Sequence, residues 1–260
     1  MYDPHCRRTR TVALFPKHQS TNPPIHQSTP LTLPESRPWY KQRWQIIVAG
    51  FAASYVAGVL FALIVRAQGG WSQGLPWERE LLTAVHPPLP WILDRLMLVL
   101  PWFGTNLSLI PVVLIIVVWL WLGKKRPDLA MWLLVVQAGS YALNPALKST
   151  FDRVRPDMFE KRGWFGWTSY PSGHAIASIS VLFTVALMLN RERGWTWPFY
   201  LVGAIALGTM YARVYLAVHW PTDVIGGAIV GLVWLWATWV AFRGPAPPLS
   251  VVRLQSPPVL

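Results

Sequence analysis

Three short polar clusters lie between residues 148 and 223, separated by strongly apolar sequence. The first runs from Lys148 to Pro156, the second from Tyr170 to His174, and the third from Arg213 to Asp223. Their basic side chains, two histidines and terminal aspartate are the groups needed to bind a phosphoryl group and transfer it. The sequence therefore predicts that the three clusters meet in one site that acts on a phosphate ester.

The first cluster places Lys148 and Arg155 seven residues apart in a chain with few charges. Charged groups at membrane depth are costly unless they have a partner or a function. They are interpreted either as phosphate ligands or as ordinary cationic anchors near lipid head groups. Arg153 and Lys161 nearby favour the anchoring interpretation. Pro156 biases the backbone at Arg155 toward an extended form.

The second cluster contains Ser172, Gly173 and His174 at the predicted start of a helix. Ser172 is expected to cap that helix, and Gly173 would allow a ligand to approach the backbone closely. The unpaired amides at a helix start favour an anion, so we expect a phosphate there. His174 beside it would donate a proton to a leaving oxygen. A simple capped turn is the alternative.

The third cluster joins Arg213 to His219 and Asp223. Pro221 suits the first turn of a helix, which places Asp223 in that turn and His219 just before it. Asp223 would accept a hydrogen bond from one imidazole nitrogen and leave the other free to attack phosphorus. A purely structural histidine is the alternative interpretation.

Composition indicates the class of protein that carries these clusters. Of 260 residues, 53% are hydrophobic and only 13% are charged, and 17 are tryptophans, so an integral membrane protein is expected. The net charge of +12 is interpreted as membrane sidedness, and no nucleic-acid partner is predicted. Cys6 is the single cysteine, which excludes an intramolecular disulfide.

The hydrophobic pattern predicts an all-α, polytopic membrane protein with six transmembrane helices. The predicted spans are residues 44–65, 106–122, 129–147, 173–189, 198–216 and 221–241. A polar helix at 75–85, between the first two spans in sequence, is expected to lie at the membrane–water interface. Residues 91–103 would reach only about 20 Å as a helix, too short to cross. The membrane domain, 43–243, is expected between a disordered cytoplasmic tail, 1–42, and a Pro-rich cytoplasmic tail, 244–260.

Charge distribution predicts the orientation of this domain. With six crossings and both termini inside, the inner segments carry a net charge of +10 and the outer segments +2. Basic residues concentrate on the cytoplasmic side, so all three polar clusters are expected at the outer face.

Two groups of residues are expected to shape the bundle. Small residues let helices approach closely, and polar residues at helical spacing face the bundle interior. The glycines predicted to make close helix contacts are Gly203, Gly208, Gly227 and Gly231. The polar residues predicted to face the interior, either toward the site or in bonds between helices, are Gln137, Ser140, Tyr141 and Asn144.

The clusters, written as Lys148-x6-Arg155-Pro156, Pro171-Ser-Gly-His174 and Arg213-x5-His219-x3-Asp223, resemble the three-part signature of the type-2 phosphatidic acid phosphatase superfamily. The resemblance covers about residues 75–241 and departs at Ala212, where many members have serine. It implies His219 as the nucleophile that forms a phosphohistidine, Asp223 as its orienting partner and His174 as the acid. The residues that it implies as phosphate ligands are Lys148, Arg155, Ser172, Gly173 and Arg213. No metal or other cofactor is expected.

The expected function is therefore hydrolysis of the terminal phosphate of a membrane lipid. The candidate substrates are phosphatidic acid, phosphatidylglycerol phosphate and undecaprenyl or other isoprenyl diphosphates. One alternative is a membrane protein that binds or transports anions or lipid phosphates and needs no nucleophile. The other is a vanadate-dependent oxidase related to haloperoxidases, since vanadate resembles phosphate; six apolar spans argue against it. The sequence predicts no oligomeric state.

Overall fold

The computed structural model describes residues 43–163 and 165–243, and within these ranges the chain is helical and contains no strand. The tails predicted at 1–42 and 244–260 lie outside the described residues. The helices are α1 (Trp44–Ala67), α2 (Pro76–Val85), α3 (Trp91–Val99), α4 (Asn106–Val118), α5 (Pro127–Thr150), α6 (Gly173–Ala177), α7 (Phe183–Arg193), α8 (Trp197–Tyr215) and α9 (Pro221–Phe242). Three tighter or wider turns extend them: a 3₁₀ turn after α3, a π turn after α4, and a π turn that joins α6 to α7.

Local sequence explains where several of these helices begin and end. A proline occupies the first or second position of α2, α5, α8 and α9, where its missing N–H is not needed. Helix α7 ends at Gly194, whose φ of +69° is a left-handed conformation that glycine adopts readily. Each predicted span therefore corresponds to a helix or to one continuous helical rod.

Four of these helical rods are long and apolar enough to cross a membrane. They are Trp44–Ala67, Asn106–Gly123, Gly173–Arg193 and Pro221–Phe242. Helices α5 and α8 lie where crossings were predicted and have 24 and 19 residues, but they do not meet the same criterion of length and hydropathy. Their membrane crossing stays a prediction.

Helix α9 is central to the bundle and packs against α1, α5, α6 and α8. Half of the most apolar stretch of α9 is buried inside the protein, compared with 22% of the corresponding stretch in α1 and in the rod that begins with α4. The outer sides of α1 and α4 present large apolar side chains, among them Leu60, Leu107 and Ile115. An apolar surface of this extent suits contact with lipid, consistent with an integral membrane protein.

Small residues allow α6 to lie directly on α9. A Cβ at Gly227 would lie 2.5 Å from the carbonyl oxygen of Ser172, and one at Gly231 would lie 2.9 Å from that of Ile176. The close contact predicted at Gly203 is wrong, because the nearest atom to a Cβ there is 3.9 Å away. Gly208 does make one, with Leu100. The glycines of α9 therefore set the position of α6.

The polar face predicted on α5 is buried except at one position. Gln137 and Ser140 are buried, Asn144 is half-buried, and Gln137 donates a 2.9 Å hydrogen bond to Asn106 Oδ1 on α4. Tyr141 is 55% exposed, so the inward orientation predicted for it is wrong. The bond from Gln137 joins two helices, as expected for a polar side chain in a membrane bundle.

Candidate active site

The three polar clusters converge on His219, in the turn between α8 and α9. This side chain is only 2% exposed, and burial lowers the pKa of its imidazole well below the usual value near 6.5. Nearby positive charges lower this pKa further. In decreasing order of effect, the residues responsible are Arg155, Arg213, Lys148 and His174. His219 is therefore neutral at pH 7, with both imidazole nitrogens available for the roles predicted from the sequence.

The two nitrogens of His219 face different groups. Nε2 lies 3.4 Å from Nη1 of Arg155, and Nδ1 lies 3.5 Å from Oδ2 of Asp223. The hydrogen bond predicted between His219 and Asp223 is not formed in this structure, because 3.5 Å is long for such a bond and Nδ1 has no partner with suitable geometry. The two side chains are neighbours, and Nε2 points toward the cationic side of the site.

Asp223 is fully buried, and three donors hold its carboxylate. Oδ1 accepts a 2.7 Å bond from Nη1 of Arg153, and Oδ2 accepts bonds from the Ser169 hydroxyl and, at 2.8 Å, from the Trp220 amide. The Trp220 bond also satisfies an amide at the start of α9. Asp223 therefore both caps α9 and presents a fixed carboxylate to His219.

Lys148 and Arg155 are held side by side by the backbone that precedes α6. The ammonium of Lys148 donates to the carbonyl of Thr168 at 2.7 Å, and Nη2 of Arg155 donates to the same oxygen at 2.9 Å. Arg155 also donates to the carbonyls of Gly166 and Val218. Burial lowers the pKa of Arg155 to about 10, so this guanidinium still carries its charge at pH 7.

The third predicted cation, Arg213, lies in the last turn of α8 and is 2% exposed. Ala212, where many relatives are expected to have serine, is fully buried in an apolar cluster with Tyr215 and Val218. The methyl group of Ala212 therefore fits its surroundings, and a hydroxyl there would need a partner within that cluster.

The start of α6 differs from the prediction in two respects. Ser172 is the N-cap residue, but its hydroxyl makes no capping bond and is buried without a partner, so the predicted side-chain cap is wrong. Its amide donates to the carbonyl of Asp223 at 3.0 Å and is not free for a ligand. A Cβ at Gly173 would lie 2.6 Å from the side-chain nitrogen Nδ2 of Asn144. Gly173 is thus required by packing, and half-buried His174 follows it.

Two buried charged residues were missed by the sequence interpretation. Arg153 is 0% exposed and pairs with both Glu78, at 2.9 Å, and Asp223, at 2.7 Å. Arg153 is therefore part of the buried interior and gives no support to the anchoring interpretation of its neighbours. Glu78, also 0% exposed, lies on the helix predicted to be interfacial. Local spacing does not predict these ion pairs, because the partners of Arg153 are 70 and 75 residues away in sequence.

An open cavity of about 630 Å³ lies beside Arg155. Its lining combines charged and aromatic side chains, which suit a polar head group at the end of an apolar chain. The main lining residues are Arg155, Asp157, Lys161, Phe165 and Trp167. Within residues 43–163 and 165–243, no group of three potential metal-ligating side chains forms a metal site.

Comparisons with known proteins indicate the family of this chain. The PAP2 superfamily model matches residues 129–245. The chain is 32% identical over 149 residues to phosphatidylglycerophosphatase B of Bacillus subtilis. The aligned region covers 55% of this chain and 72% of that protein. It is also 26% identical over 189 residues to an undecaprenyl-diphosphatase of Sulfolobus acidocaldarius. That aligned region covers 71% of this chain and 84% of that protein.

The fold also has a solved counterpart, the crystal structure of a transmembrane PAP2-type phosphatidylglycerolphosphate phosphatase from Bacillus subtilis. It superposes with a TM-score of 0.62 and 24% sequence identity, over 72% of this chain and 93% of that one. The solved structure shows the fold, and the sequence matches show the family. The chain therefore belongs to the PAP2 superfamily and is an enzyme of its lipid phosphate phosphatase class.

Proposed function

We propose that this protein removes the terminal phosphate of a lipid phosphate or lipid diphosphate through a phosphohistidine at His219. The observation that carries the proposal is the convergence of Lys148, Arg155 and Arg213 on this buried, neutral imidazole. Phosphatidic acid, phosphatidylglycerol phosphate and undecaprenyl or other isoprenyl diphosphates are the candidate substrates. The matched relatives include enzymes named for two of these lipid classes.

The three cations would hold the non-bridging oxygens of the terminal phosphate. Hydrogen bonds to charged groups contribute about 1.5–3 kcal/mol each, and charge on the oxygens is stabilised where it develops. Lys148 and Arg155 would exchange their bonds to the Thr168 carbonyl for bonds to the phosphate. The buried hydroxyl of Ser172, which has no partner, would give a further donor beside them. Three fixed cations would make a metal ion unnecessary.

In the first step, Nε2 of His219 would attack phosphorus while the bond between phosphorus and the leaving oxygen breaks. Nε2 is suited to this role because it faces Arg155, whereas Nδ1 faces the Asp223 carboxylate. Asp223 would stabilise the positive imidazole of the phosphohistidine. His174 would donate a proton to the leaving oxygen, so the lipid departs as an alcohol or as a monophosphate.

In the second step, water would attack the phosphohistidine and release inorganic phosphate. His174, now without its proton, would take one from the attacking water, and the phosphorus–nitrogen bond would break to restore neutral His219. Atoms and charge balance over the two steps, and the net reaction consumes one water. No redox change is involved.

The proposed membrane arrangement has six crossings, with α5 and α8 added to the four apolar rods and α2 and α3 at the interface. Both termini would be cytoplasmic, and the site would open at the outer face. The excess of basic residues in the inner segments supports this orientation. The cavity beside Arg155 would admit the head group, while the lipid chain stays in contact with the apolar helix surfaces.

The chemical test is to trap the intermediate in the purified protein. Labelled substrate should yield a covalent phosphate that is stable to base and labile to acid, and His219→Ala should abolish it. His174→Ala should slow its formation by about 10²–10⁴-fold, the usual contribution of a general acid. His86→Ala is the matched control, since His86 stacks on Phe159 and has no proposed role. Full phosphate release by His219→Ala would refute the mechanism.

A second measurement identifies the substrate and the metal requirement. Phosphate release should be compared across phosphatidic acid, phosphatidylglycerol phosphate and undecaprenyl diphosphate, each with and without EDTA. We expect turnover of at least one lipid that EDTA leaves unchanged. Anion binding without turnover of any of these lipids would favour the transport or binding alternative, and halide oxidation after addition of vanadate would favour the oxidase.

A further inference from the structure

A fully buried arginine has no role in the proposed reaction. The Arg153 guanidinium lies between two indole rings, 5.5 Å from the centre of Trp71 and 5.7 Å from that of Trp220. Nη1 donates to Oδ1 of Asp223 at 2.7 Å, and Nη2 donates to Oε2 of Glu78 at 2.9 Å. Burying charge is costly, and a pair of opposite charges lowers this cost only when it is well hydrogen-bonded. One guanidinium here serves two carboxylates.

Glu78 joins this cluster to the starts of two helices. Its Oε1 accepts bonds from the amide and the hydroxyl of Thr222, at 2.9 and 2.6 Å. Its Oε2 accepts a bond from the Leu75 amide at 2.7 Å as well as the bond from Arg153. The Thr222 hydroxyl also accepts a 2.6 Å bond from Arg153. The carboxylate therefore ties the start of α2 to the first turn of α9, which carries Asp223.

We propose that Glu78 and Arg153 are positioning residues that fix the Asp223 carboxylate and set the negative charge it presents to His219. Arg153 holds Oδ1, so Oδ2 stays 3.5 Å from Nδ1 of the imidazole. Glu78 shares the charge of Arg153, which leaves Asp223 more negative than a single ion pair would. Helix α2 lies outside the stretch that the family model matches, residues 129–245. This proposal rests on the phosphohistidine function proposed above.

The charges that face His219 decide the sign of the expected effects. Removing the negative charge of Glu78 lets Arg153 neutralise Asp223 more fully, which makes His219 harder to protonate. Removing the positive charge of Arg153 has the opposite effect, because the Asp223 carboxylate beside the imidazole then loses the ion pair that neutralises it. The other titratable or charged groups near it, unchanged in both variants, are Lys148 on α5, Arg155 after α5, His174 on α6 and Arg213 on α8.

The experiment measures kcat against pH for the purified full chain and for Glu78→Gln and Arg153→Gln. We expect the acid limb to move to higher pH in Arg153→Gln and not to rise in Glu78→Gln. The double variant, with the wild-type net charge, should have an acid limb near that of the wild type. In both single variants kcat should fall by about 10- to 100-fold. This is the usual cost of removing a residue that orients a functional histidine from behind, as measured for metal-binding histidines. The inhibition constant of inorganic phosphate should change by less than about 2-fold.

A merely structural role predicts a different result. Asp94→Asn is the matched control, because it breaks a two-bond ion pair with Arg162 that does not touch Asp223. Loss of packing alone would lower thermal stability without shifting the acid limb, as expected for this control. If Arg153→Gln does not fold, Arg153→Lys keeps the charge and loses the two-carboxylate geometry. It should then lower kcat with the acid limb unchanged, and wild-type kcat in it would overturn the proposal.

Failure of this inference can be separated from failure of the proposed function. If the wild type forms the acid-labile phosphoenzyme and the Glu78 and Arg153 variants match its kcat and pH profile, the positioning role is wrong and the function stands. Shifts of the acid limb in the same direction in both single variants would also overturn it. If the wild type forms no phosphoenzyme, the proposed function itself fails.

Discussion

Adding one methyl group at Gly227 should separate the two helices that carry the reacting groups. A Cβ there would lie 2.5 Å from the Ser172 carbonyl oxygen and 3.0 Å from Cβ of Ala175. A carbon and a carbonyl oxygen approach to about 3.3 Å, so α6 and α9 must move apart by roughly 0.8 Å. The Ser172 oxygen belongs to the backbone, so rotation of a side chain cannot relieve the contact.

This displacement should affect catalysis more than folding. Overpacking costs about 1–3 kcal/mol, and alanine regains about 1 kcal/mol of helix propensity, so the net loss of stability is about 0–2 kcal/mol. Helix α6 carries His174, and the Ser172 amide bonds to the carbonyl of Asp223. A misplacement of about 1 Å in a catalytic site costs about 100-fold in rate. We therefore expect Gly227→Ala to lose about 10- to 100-fold in kcat while remaining folded.

The assay is phosphate release from a lipid phosphate in detergent, with thermal unfolding followed by circular dichroism. Gly203→Ala is the matched control, since Gly203 also lies within a helix but a Cβ there would meet nothing closer than 3.9 Å. It should have wild-type activity and equal or higher stability. If Gly227→Ala were as active as Gly203→Ala, the proposed dependence of the site on the contact between α6 and α9 would be wrong.

Two further predictions concern pH. Arg155→Gln removes a positive charge 3.4 Å from Nε2 of His219, so the pKa of His219 should rise toward its usual value. The acid limb of the kcat profile should then move to higher pH, and an unmoved limb would contradict this prediction. It should also lower kcat/KM by roughly 10- to 100-fold. Hydrogen bonds from Arg162 and Tyr215 lower the pKa of Asp94 to about 2. These bonds therefore stabilise the folded protein fully above about pH 4, and their contribution is lost as the pH falls toward 2. Asp94→Asn should unfold at a lower temperature than the wild type at pH 6, and this difference should shrink toward pH 2; a constant difference contradicts the assignment.

Much of the fold could be predicted from the sequence because lipid imposes a simple rule on it. A spanning segment must satisfy its own backbone hydrogen bonds and be apolar over its length, so hydropathy located the four apolar helical rods. Pro221 marked the start of α9. The predicted start of the third span at 129 and end of the fourth at 189 fell a few residues inside the helices, which begin at Pro127 and end at Arg193. The superfamily predicted from the sequence was confirmed by the comparisons.

Predictions that depended on which neighbour covers a residue were less successful. Tyr141 has the helical spacing of its buried neighbours, but no helix covers it, and it is exposed. Gly203 resembles Gly227 in its helical context, but a Cβ there would meet nothing closer than Phe183 at 3.9 Å. Ser172 has the side chain of a helix cap, yet its hydroxyl makes no bond to the helix. In each case local pattern indicates what a residue can do, and packing decides whether it does so.

By itself, the sequence determined the class of the protein, the positions of its helices and the six charged or imidazole side chains expected to perform the chemistry. These follow from composition and short-range spacing. Only the tertiary structure revealed that Arg153 bonds to both Asp223 and Glu78, because ion pairs between residues about seventy positions apart depend on how helices meet. The same packing decided that Asp223 lies beside His219 without a hydrogen bond and that Gly227 brings α6 onto α9.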